Sequence, residues 1–107
     1  MKVITVCGSV RFKEGMLKYR EEQHKIGNWV LLPENMDIDI QKIDTRVKEL
    51  MDGLHLSKIT CADIVLIWNQ DDYIGESTKA ELKYAIGMRK EIEFLEKRNM
   101  EYCFWDE

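Results

Sequence analysis

A turn after the first hydrophobic segment carries residue types that bind anions. It consists of Cys7-Gly8-Ser9-Val10-Arg11, in which the glycine permits a tight turn, the serine can cap a helix, and the arginine can contact an anion through two N–H groups. Free backbone N–H groups at a helix start would complete such a site. Alternatively, the serine only caps a helix and the arginine is a solvated side chain. The turn lacks the GxGxxG pattern, so dinucleotide binding gains no support.

A second candidate segment runs from Tyr73 to Glu81 and has the sequence YIGESTKAE. It follows a hydrophobic run and leads into a helical pattern, so it would place Glu81 near the start of a helix. The alternative is a capping box, in which Thr78 caps the helix and Glu81 accepts a hydrogen bond from the backbone N–H of Thr78. In that arrangement the glutamate would have only a structural role.

The histidines and cysteines offer weaker signals. We assign no role to His24, because a single helical histidine is usually a surface or core-edge residue, and keep His55 as a candidate because its segment leads into a hydrophobic strand. The three cysteines, Cys7, Cys61 and Cys103, form an odd set with neither CxxC nor Cys/His ligand spacing. We therefore expect a reduced, cytoplasmic protein with no disulfide framework, metal site or cofactor.

Hydrophobic patterning predicts an α/β fold in which short strands alternate with amphipathic helices. The run DIVLIW is almost uninterruptedly apolar, which suits a central parallel strand buried on both faces. Right-handed crossovers would then put helices on both sides of the sheet. The predicted strands are Lys2–Cys7, Asn28–Leu32, Asp63–Trp68 and Glu91–Leu95, with an edge strand at Tyr102–Trp105, and the helices follow Phe12, Ile40 and Ser77.

Ligands of such sheets collect at the carboxyl ends of the strands, where strand order reverses. The two candidate segments follow the ends of the first and third predicted strands. If these strands are neighbours, we expect Ser9, Arg11, Ser77 and Glu81 to converge on one crevice.

Length and composition limit the classes of protein to consider. A chain of 107 residues is the size of one domain, and its 45% apolar and 34% charged residues are typical of a folded protein. The formal net charge of −4 argues against binding to polymeric nucleic acid, which requires clustered basic residues. The longest apolar runs are too short to span a bilayer, so we expect neither a membrane segment nor a signal peptide. We therefore treat residues 1–107 as a single domain.

In three motifs the sequence resembles the nucleoside 2-deoxyribosyltransferase-like family, which includes the related deoxynucleoside 5′-monophosphate N-glycosidases. The motifs are CGSVR at Cys7–Arg11, HLSKITCADIVLIWN at His55–Asn69 and YIGESTKAELKYA at Tyr73–Ala85. The resemblance covers nearly the whole chain and implies a flavodoxin-like three-layer sandwich with a parallel sheet of four or five strands in the order 2-1-3-4-5. It also implies a homodimer or larger homo-oligomer, for which we expect the helix from Ile40 onward to form the interface.

The resemblance also implies an activity on small-molecule nucleosides or nucleotides. The reaction would be cleavage or transfer at the N-glycosidic bond of a (deoxy)nucleoside or its 5′-monophosphate, with Glu81 attacking C1′ of the sugar. The turn at Gly8, Ser9 and Arg11 would hold the 5′-phosphate, with Ser77 across the crevice. We expect further substrate contacts from the connecting loop, at Asn69, Tyr73 and Gly75.

The sequence departs from this family at two places. Many active members carry an Asp eight residues before the position of Asp63, where this sequence has His55, and the GESTKAE loop is longer than the family's glycine-rich form. Because a histidine has an ordinary pKa of ~6.5, His55 could protonate the leaving base if a neighbouring carboxylate supports its charged form, or a bound water could do so. The alternative reading is a non-catalytic module that binds a nucleotide or a protein partner.

Overall fold

The computed structural model describes residues 1–33 and 44–96, in which strands and helices alternate. Single turns of 3₁₀ helix, Val10–Phe12 and Gln70–Asp72, follow the first and third strands. No helix in these ranges is long and apolar enough to cross a membrane. The strands are β1 (Val3–Cys7), β2 (Trp29–Leu31), β3 (Ile64–Ile67) and β4 (Glu91–Phe94), and the helices are α1 (Lys13–Lys25), α2 (Thr45–Cys61) and α3 (Glu76–Gly87).

The four strands form one parallel sheet in the order β2-β1-β3-β4, which confirms the predicted topology for these strands. In the register, Ile4 of β1 lies opposite Val30 of β2 and Ile64 of β3. All residues of β3 are buried, as the uninterrupted apolar run predicts. The possible fifth strand at Tyr102–Trp105 and the start of the predicted helix at Ile40 lie outside the described residues.

The sheet separates two hydrophobic clusters, one on each face. Helix α1 covers one face, and helices α2 and α3 pack together on the other, so the molecule has three layers. The cluster under α1 contains Ile4, Val6, Met16, Val30, Leu32, Ile64, Leu66 and Trp68. The cluster under α2 and α3 contains Cys7, Ile59, Ala62, Val65, Ile67, Leu82 and Ala85.

Trp68, directly after β3, fixes the position of the turn after β1. A Cβ atom on Gly8 would lie 2.7 Å from the Trp68 Cβ, and one on Gly15 would lie 2.9 Å from the indole ring. The indole packs edge-on against Tyr19, with ring centroids 5.8 Å apart, and donates a hydrogen bond of 3.0 Å to Gln70 Oε1. The turn therefore requires glycine because its backbone closely approaches the end of β3.

Helix α3 begins earlier than the capping-box interpretation requires. Its N-cap is Gly75, which has no side chain to accept a hydrogen bond, and its first helical residue is Glu76. Thr78 is a buried residue inside the first turn rather than the cap. The capping-box alternative is therefore wrong, and the carboxylate of Glu81 is available for other contacts.

Candidate active site

A cysteine, a histidine and a glutamate from three elements meet on the sheet face covered by α2 and α3. Cys7 Sγ lies 3.5 Å from His55 Nε2, and the same nitrogen lies 3.8 Å from Glu81 Oε1. The ligand atoms of all three side chains lie within 4.8 Å of one another. The topology thus brings both predicted catalytic residues, Glu81 and His55, together with the cysteine of the predicted anion-binding turn.

Ordinary helix and strand periodicity positions these side chains. Cys7 ends β1 on the face that α2 and α3 cover. His55 and Ile59 are the buried residues of α2 and lie one helical turn apart. Glu81 precedes the buried Leu82 of α3, so it lies at the margin of the helix face that packs on the sheet.

Exposure to solvent increases from the cysteine to the glutamate. Cys7 is fully buried and His55 is 3% exposed, whereas the side chain of Glu81 is 18% exposed. Glu81 is therefore the member of the cluster that a ligand would reach first.

Burial also changes the charge state of Glu81. Desolvation is the main cause that raises the pKa of this carboxyl group from its ordinary 4.5 to about 7, and the negative charge of Asp52 raises it further. A hydrogen bond from the Cys7 thiol and the positive charge of Lys48 act in the opposite direction. The group thus titrates near neutral pH and is largely ionised above pH 7, a property that is common among functional carboxyl groups.

The thiol of Cys7 is poorly suited to act as a nucleophile. Burial raises the pKa of Cys7 well above its usual range, and the charge of Glu81 and the hydrogen bond to it raise the pKa further. In a relay of cysteine, histidine and acid, the two partners contact different ring nitrogens of the histidine, but here His55 Nε2 faces both. The cluster therefore does not have the geometry of a cysteine hydrolase.

The predicted anion-binding turn lies beside the loop that follows β3. The guanidinium carbon of Arg11 lies 3.8 Å from the centroid of the Tyr73 ring, and Phe12 packs edge-on against the same ring. Ser9 Oγ accepts a hydrogen bond of 3.2 Å from the backbone N–H of Arg11, so the serine caps the short 3₁₀ turn as predicted. The two candidate segments are therefore in contact.

The remaining predicted contacts fall into two environments. Gly75 lies beside the Tyr73 side chain, and Ser77 is exposed in the first turn of α3. Asn69, by contrast, is fully buried, and its side chain donates a hydrogen bond of 3.0 Å to the carbonyl oxygen of Glu96 and accepts one of 2.8 Å from its N–H. This geometry gives Asn69 a structural role, because it ties the loop after β3 to the chain after β4.

His24, to which the sequence assigns no function, also has a structural contact. Its Nε2 accepts a hydrogen bond of 3.2 Å from the backbone N–H of Val30. This contact lies between the end of α1 and β2, at a distance from the chemical cluster. The ring therefore connects the end of α1 to β2.

Solved structures of other proteins share this architecture. No protein-family model matches the sequence, and no curated protein matches it. A 2-deoxyribosyltransferase from Bacillus psychrosaccharolyticus is similar in structure, with a TM-score of 0.71 and 19% identity over 94% of this chain and 79% of that chain. A 2-desoxiribosyltransferase from Leishmania mexicana has a TM-score of 0.68 and 16% identity over 97% and 71% of the two chains.

The chain shares the fold of these deoxyribosyltransferases. The likeness agrees with the predicted α/β architecture and with the order of the four described strands. In this deoxyribosyltransferase fold, Cys7 stands at the carboxyl end of β1 and Glu81 stands in the second turn of α3, which follows β3. The cluster thus lies at the edge of the sheet where α/β proteins bind ligands.

Sequence reasoning missed the contact between Cys7 and His55. The two residues are 48 positions apart, so no local spacing rule connects them. One signal was present, because His55 lies four residues before Ile59 and so shares its buried helix face. A buried histidine facing the carboxyl end of β1 would have suggested Cys7 as its neighbour.

Proposed function

We propose that this protein cleaves or transfers the N-glycosidic bond of a (deoxy)nucleoside or its 5′-monophosphate, with Glu81 as the nucleophile. The observation that carries the proposal is the burial, ligand access and raised pKa of the Glu81 carboxyl group. It is largely buried at the carboxyl edge of the sheet, partly open to a ligand, and has a pKa raised to about 7. The fold shared with two deoxyribosyltransferases supports a nucleoside as the substrate.

The chemistry follows the logic of retaining glycosidases. The ionised carboxylate attacks C1′ as the bond between C1′ and the base breaks, through a transition state with oxocarbenium character. The product of this step is a glycosyl ester on Glu81, and the base leaves with a proton. Attack on C1′ by water gives hydrolysis, whereas attack by a second base gives transfer, and either step regenerates the carboxylate.

The burial of His55 favours water as the proton donor to the leaving base. The ring is 3% exposed and lies behind the carboxylate, with Nε2 facing both Glu81 and Cys7. A donor must come within about 3 Å of the acceptor atom, directly or through one water. We therefore assign His55 a positioning role, in which it holds the Glu81 carboxylate, and assign proton transfer to a bound water.

The substrate phosphate would bind at the turn after β1. The Gly8 backbone approaches the end of β3 closely, Ser9 caps the 3₁₀ turn that follows, and Arg11 is exposed and stacked on Tyr73. Stacking limits the conformational freedom of the guanidinium, so a bidentate contact with phosphate would lose less entropy. Ser77, exposed in the first turn of α3, would contribute a hydroxyl near the N-terminal end of that helix.

A base-release assay tests the proposed activity. The protein is incubated with deoxynucleosides, ribonucleosides and their 5′-monophosphates, with and without a second free base, and the products are separated by chromatography. Release without acceptor indicates hydrolysis, and formation of a new nucleoside indicates transfer; both support the proposal. Absence of both products from every substrate, with nucleotide binding detected by calorimetry, would contradict it and favour a non-catalytic binding module.

A further inference from the structure

We propose that Cys7, His55 and Glu81 form a binding site for one divalent transition-metal ion, and that Zn²⁺ is the ion that best fits these donors. The three ligand atoms come from β1, α2 and α3 and lie within 4.8 Å of one another. Local sequence spacing favours no metal site, because the fold rather than a short motif assembles these ligands.

The donor types select the class of metal. Zinc binds thiolate sulfur, imidazole nitrogen and carboxylate oxygen, whereas Mg²⁺ and Ca²⁺ prefer sites made of oxygen alone. One sulfur, one nitrogen and one oxygen donor are present here. Three protein ligands leave a fourth tetrahedral position for solvent, as in zinc sites that exchange ligands.

The distances between donors agree with a tetrahedral site. With Zn–S near 2.3 Å and Zn–N near 2.0–2.1 Å, a tetrahedral angle places sulfur and nitrogen about 3.5 Å apart. Cys7 Sγ and His55 Nε2 are 3.5 Å apart. Nitrogen and oxygen ligands would be about 3.4 Å apart, and His55 Nε2 and Glu81 Oε1 are 3.8 Å apart. These two contacts therefore lie within a few tenths of an ångström of tetrahedral spacing, and the Cys7 and Glu81 ligand atoms lie within 4.8 Å of each other.

Charge and burial also favour a cation. A thiolate and a carboxylate together neutralise a dication, so the complex adds no net charge to a buried site. The Cys7 thiol proton must be released to solvent when the metal–sulfur bond forms. A bound dication would also offset the desolvation of the Glu81 carboxylate, whose side chain is only 18% exposed.

This proposal goes beyond the proposed reaction and does not depend on it. A metal on the Glu81 carboxylate occupies the oxygen that would attack C1′, so a protein with both properties would be inhibited by Zn²⁺ and reactivated by a chelator. Metal binding is measured without substrate, so its failure and the failure of the reaction are distinguishable.

The test is titration of the metal-free protein with Co²⁺, followed by absorption spectroscopy. We expect one ion per chain, intense visible bands typical of a four-coordinate ion, and a thiolate-to-cobalt charge-transfer band in the near ultraviolet. Cys7→Ser should remove the charge-transfer band and weaken binding at least tenfold. The matched controls are Cys61→Ser, at the exposed end of α2, and Cys103→Ser. Each should leave the charge-transfer band and the affinity for Co²⁺ unchanged.

A measurement on the unaltered chain keeps the proposal testable if Cys7→Ser does not fold. X-ray absorption of the Zn²⁺ complex should show one sulfur near 2.3 Å, with nitrogen and oxygen ligands near 2.0–2.2 Å. Absence of sulfur among the atoms that coordinate Zn²⁺ would overturn the proposal. Absence of Co²⁺ binding at millimolar metal would overturn it as well. A charge-transfer band that survives in Cys7→Ser and disappears in Cys61→Ser or Cys103→Ser would also overturn it.

Discussion

At the scale of single residues, the central feature is a carboxylate that the fold keeps in an unfavourable environment. Glu81 lies against Cys7 and His55, and its pKa is raised to about 7 mainly by desolvation. A surface glutamate would avoid this cost. The arrangement therefore reduces stability and leaves Glu81 with a carboxyl group that titrates near neutral pH, as carboxyl groups at functional sites often do.

The first prediction concerns the free energy of unfolding of the metal-free protein. We expect Glu81→Gln to become more stable relative to the unaltered protein as pH rises. Folding raises the pKa of Glu81 from the ordinary 4.5 to about 7. The stability that comes from the protonated form is therefore fully present below pH 4.5, and it is lost as pH rises through about 7. Glutamine stays neutral and avoids this loss. We expect the advantage of the variant to grow by up to about 3 kcal/mol between pH 4.5 and pH 8.

Urea denaturation at several pH values, in the presence of a chelator, measures this effect. The matched control is Glu76→Gln, the same change at an exposed position of the same helix. This control shows how much of any change comes from replacing a solvent-exposed carboxyl group by an amide. A constant difference for Glu81→Gln would show that its carboxyl group is not destabilised by burial.

The second prediction concerns Arg11 and the phosphate. Arg11→Ala should weaken binding of a nucleoside 5′-monophosphate by roughly 1.5–3 kcal/mol, the range for a hydrogen bond to a charged group. Binding of the unphosphorylated nucleoside should change little. Calorimetry measures both affinities, with Arg20→Ala, an exposed arginine on α1, as the control. Equal affinities of the unaltered protein for the two ligands would show that the turn is not a phosphate site.

At the scale of elements, the turn after β1 packs closely against the end of β3. The third prediction compares two glycine-to-alanine changes of opposite sign. Gly8→Ala should destabilise the protein by about 1–3 kcal/mol, because the new Cβ would lie 2.7 Å from the Trp68 Cβ. Gly53→Ala lies inside α2, where no described atom beyond the adjacent residues and the helix's own backbone lies within 4 Å of the new Cβ, and should stabilise the protein by about 0.5–1 kcal/mol.

Thermal and chemical denaturation measure both glycine variants. Because the two substitutions are chemically identical, any difference between them arises from their surroundings. A neutral or stabilising effect of Gly8→Ala would mean that the turn does not pack against Trp68 as closely as described.

The elements themselves were largely predictable from the sequence. The apolar run DIVLIW predicted the central strand because a strand between two helical layers has no polar face, and the structure confirms β3 at Ile64–Ile67. The start of α3 was predicted less well, since Thr78 is an acceptable N-cap by residue type but the observed N-cap is Gly75. Thr78 is buried inside the first turn of α3, and the helix is capped by Gly75 instead. Local residue propensity contains no information about which side chains the packing of α3 will bury.

The candidate site was only partly predictable for a related reason. Parallel topology implies that the turn after β1 and the loop after β3 are adjacent, and the contact between Arg11 and Tyr73 agrees with this. Side-chain direction at the end of a strand depends on the register and on the helices above it. The approach of Cys7 to His55 therefore emerged only from the assembled layers.

At the scale of the whole molecule, an apolar stripe on α2 remains open to solvent. Val47, Leu50 and Leu54 lie at helical spacing and are 40%, 65% and 55% exposed. The fourth prediction is that the protein is a homodimer or larger oligomer in which a second copy covers this stripe. Static light scattering at micromolar concentration should give at least twice the chain mass of 12.7 kDa.

A substitution within the stripe tests where the interface lies. Leu50→Glu should shift the protein toward the monomer, whereas Ile26→Glu, at an exposed apolar residue after α1, should not. A mass of 12.7 kDa for the unaltered protein would contradict the predicted oligomer. An oligomer that Ile26→Glu disrupts and Leu50→Glu leaves intact would place the interface elsewhere.

The central claim, that Glu81 is a nucleophile toward a nucleoside, is tested most directly by the rate of base release from the best substrate. The fifth prediction is that Glu81→Gln lowers this rate at least a thousandfold while the variant remains folded, since an amide cannot form the glycosyl ester. Glu76→Gln should retain the rate of the unaltered protein. A rate in Glu81→Gln within tenfold of the unaltered protein would contradict the account.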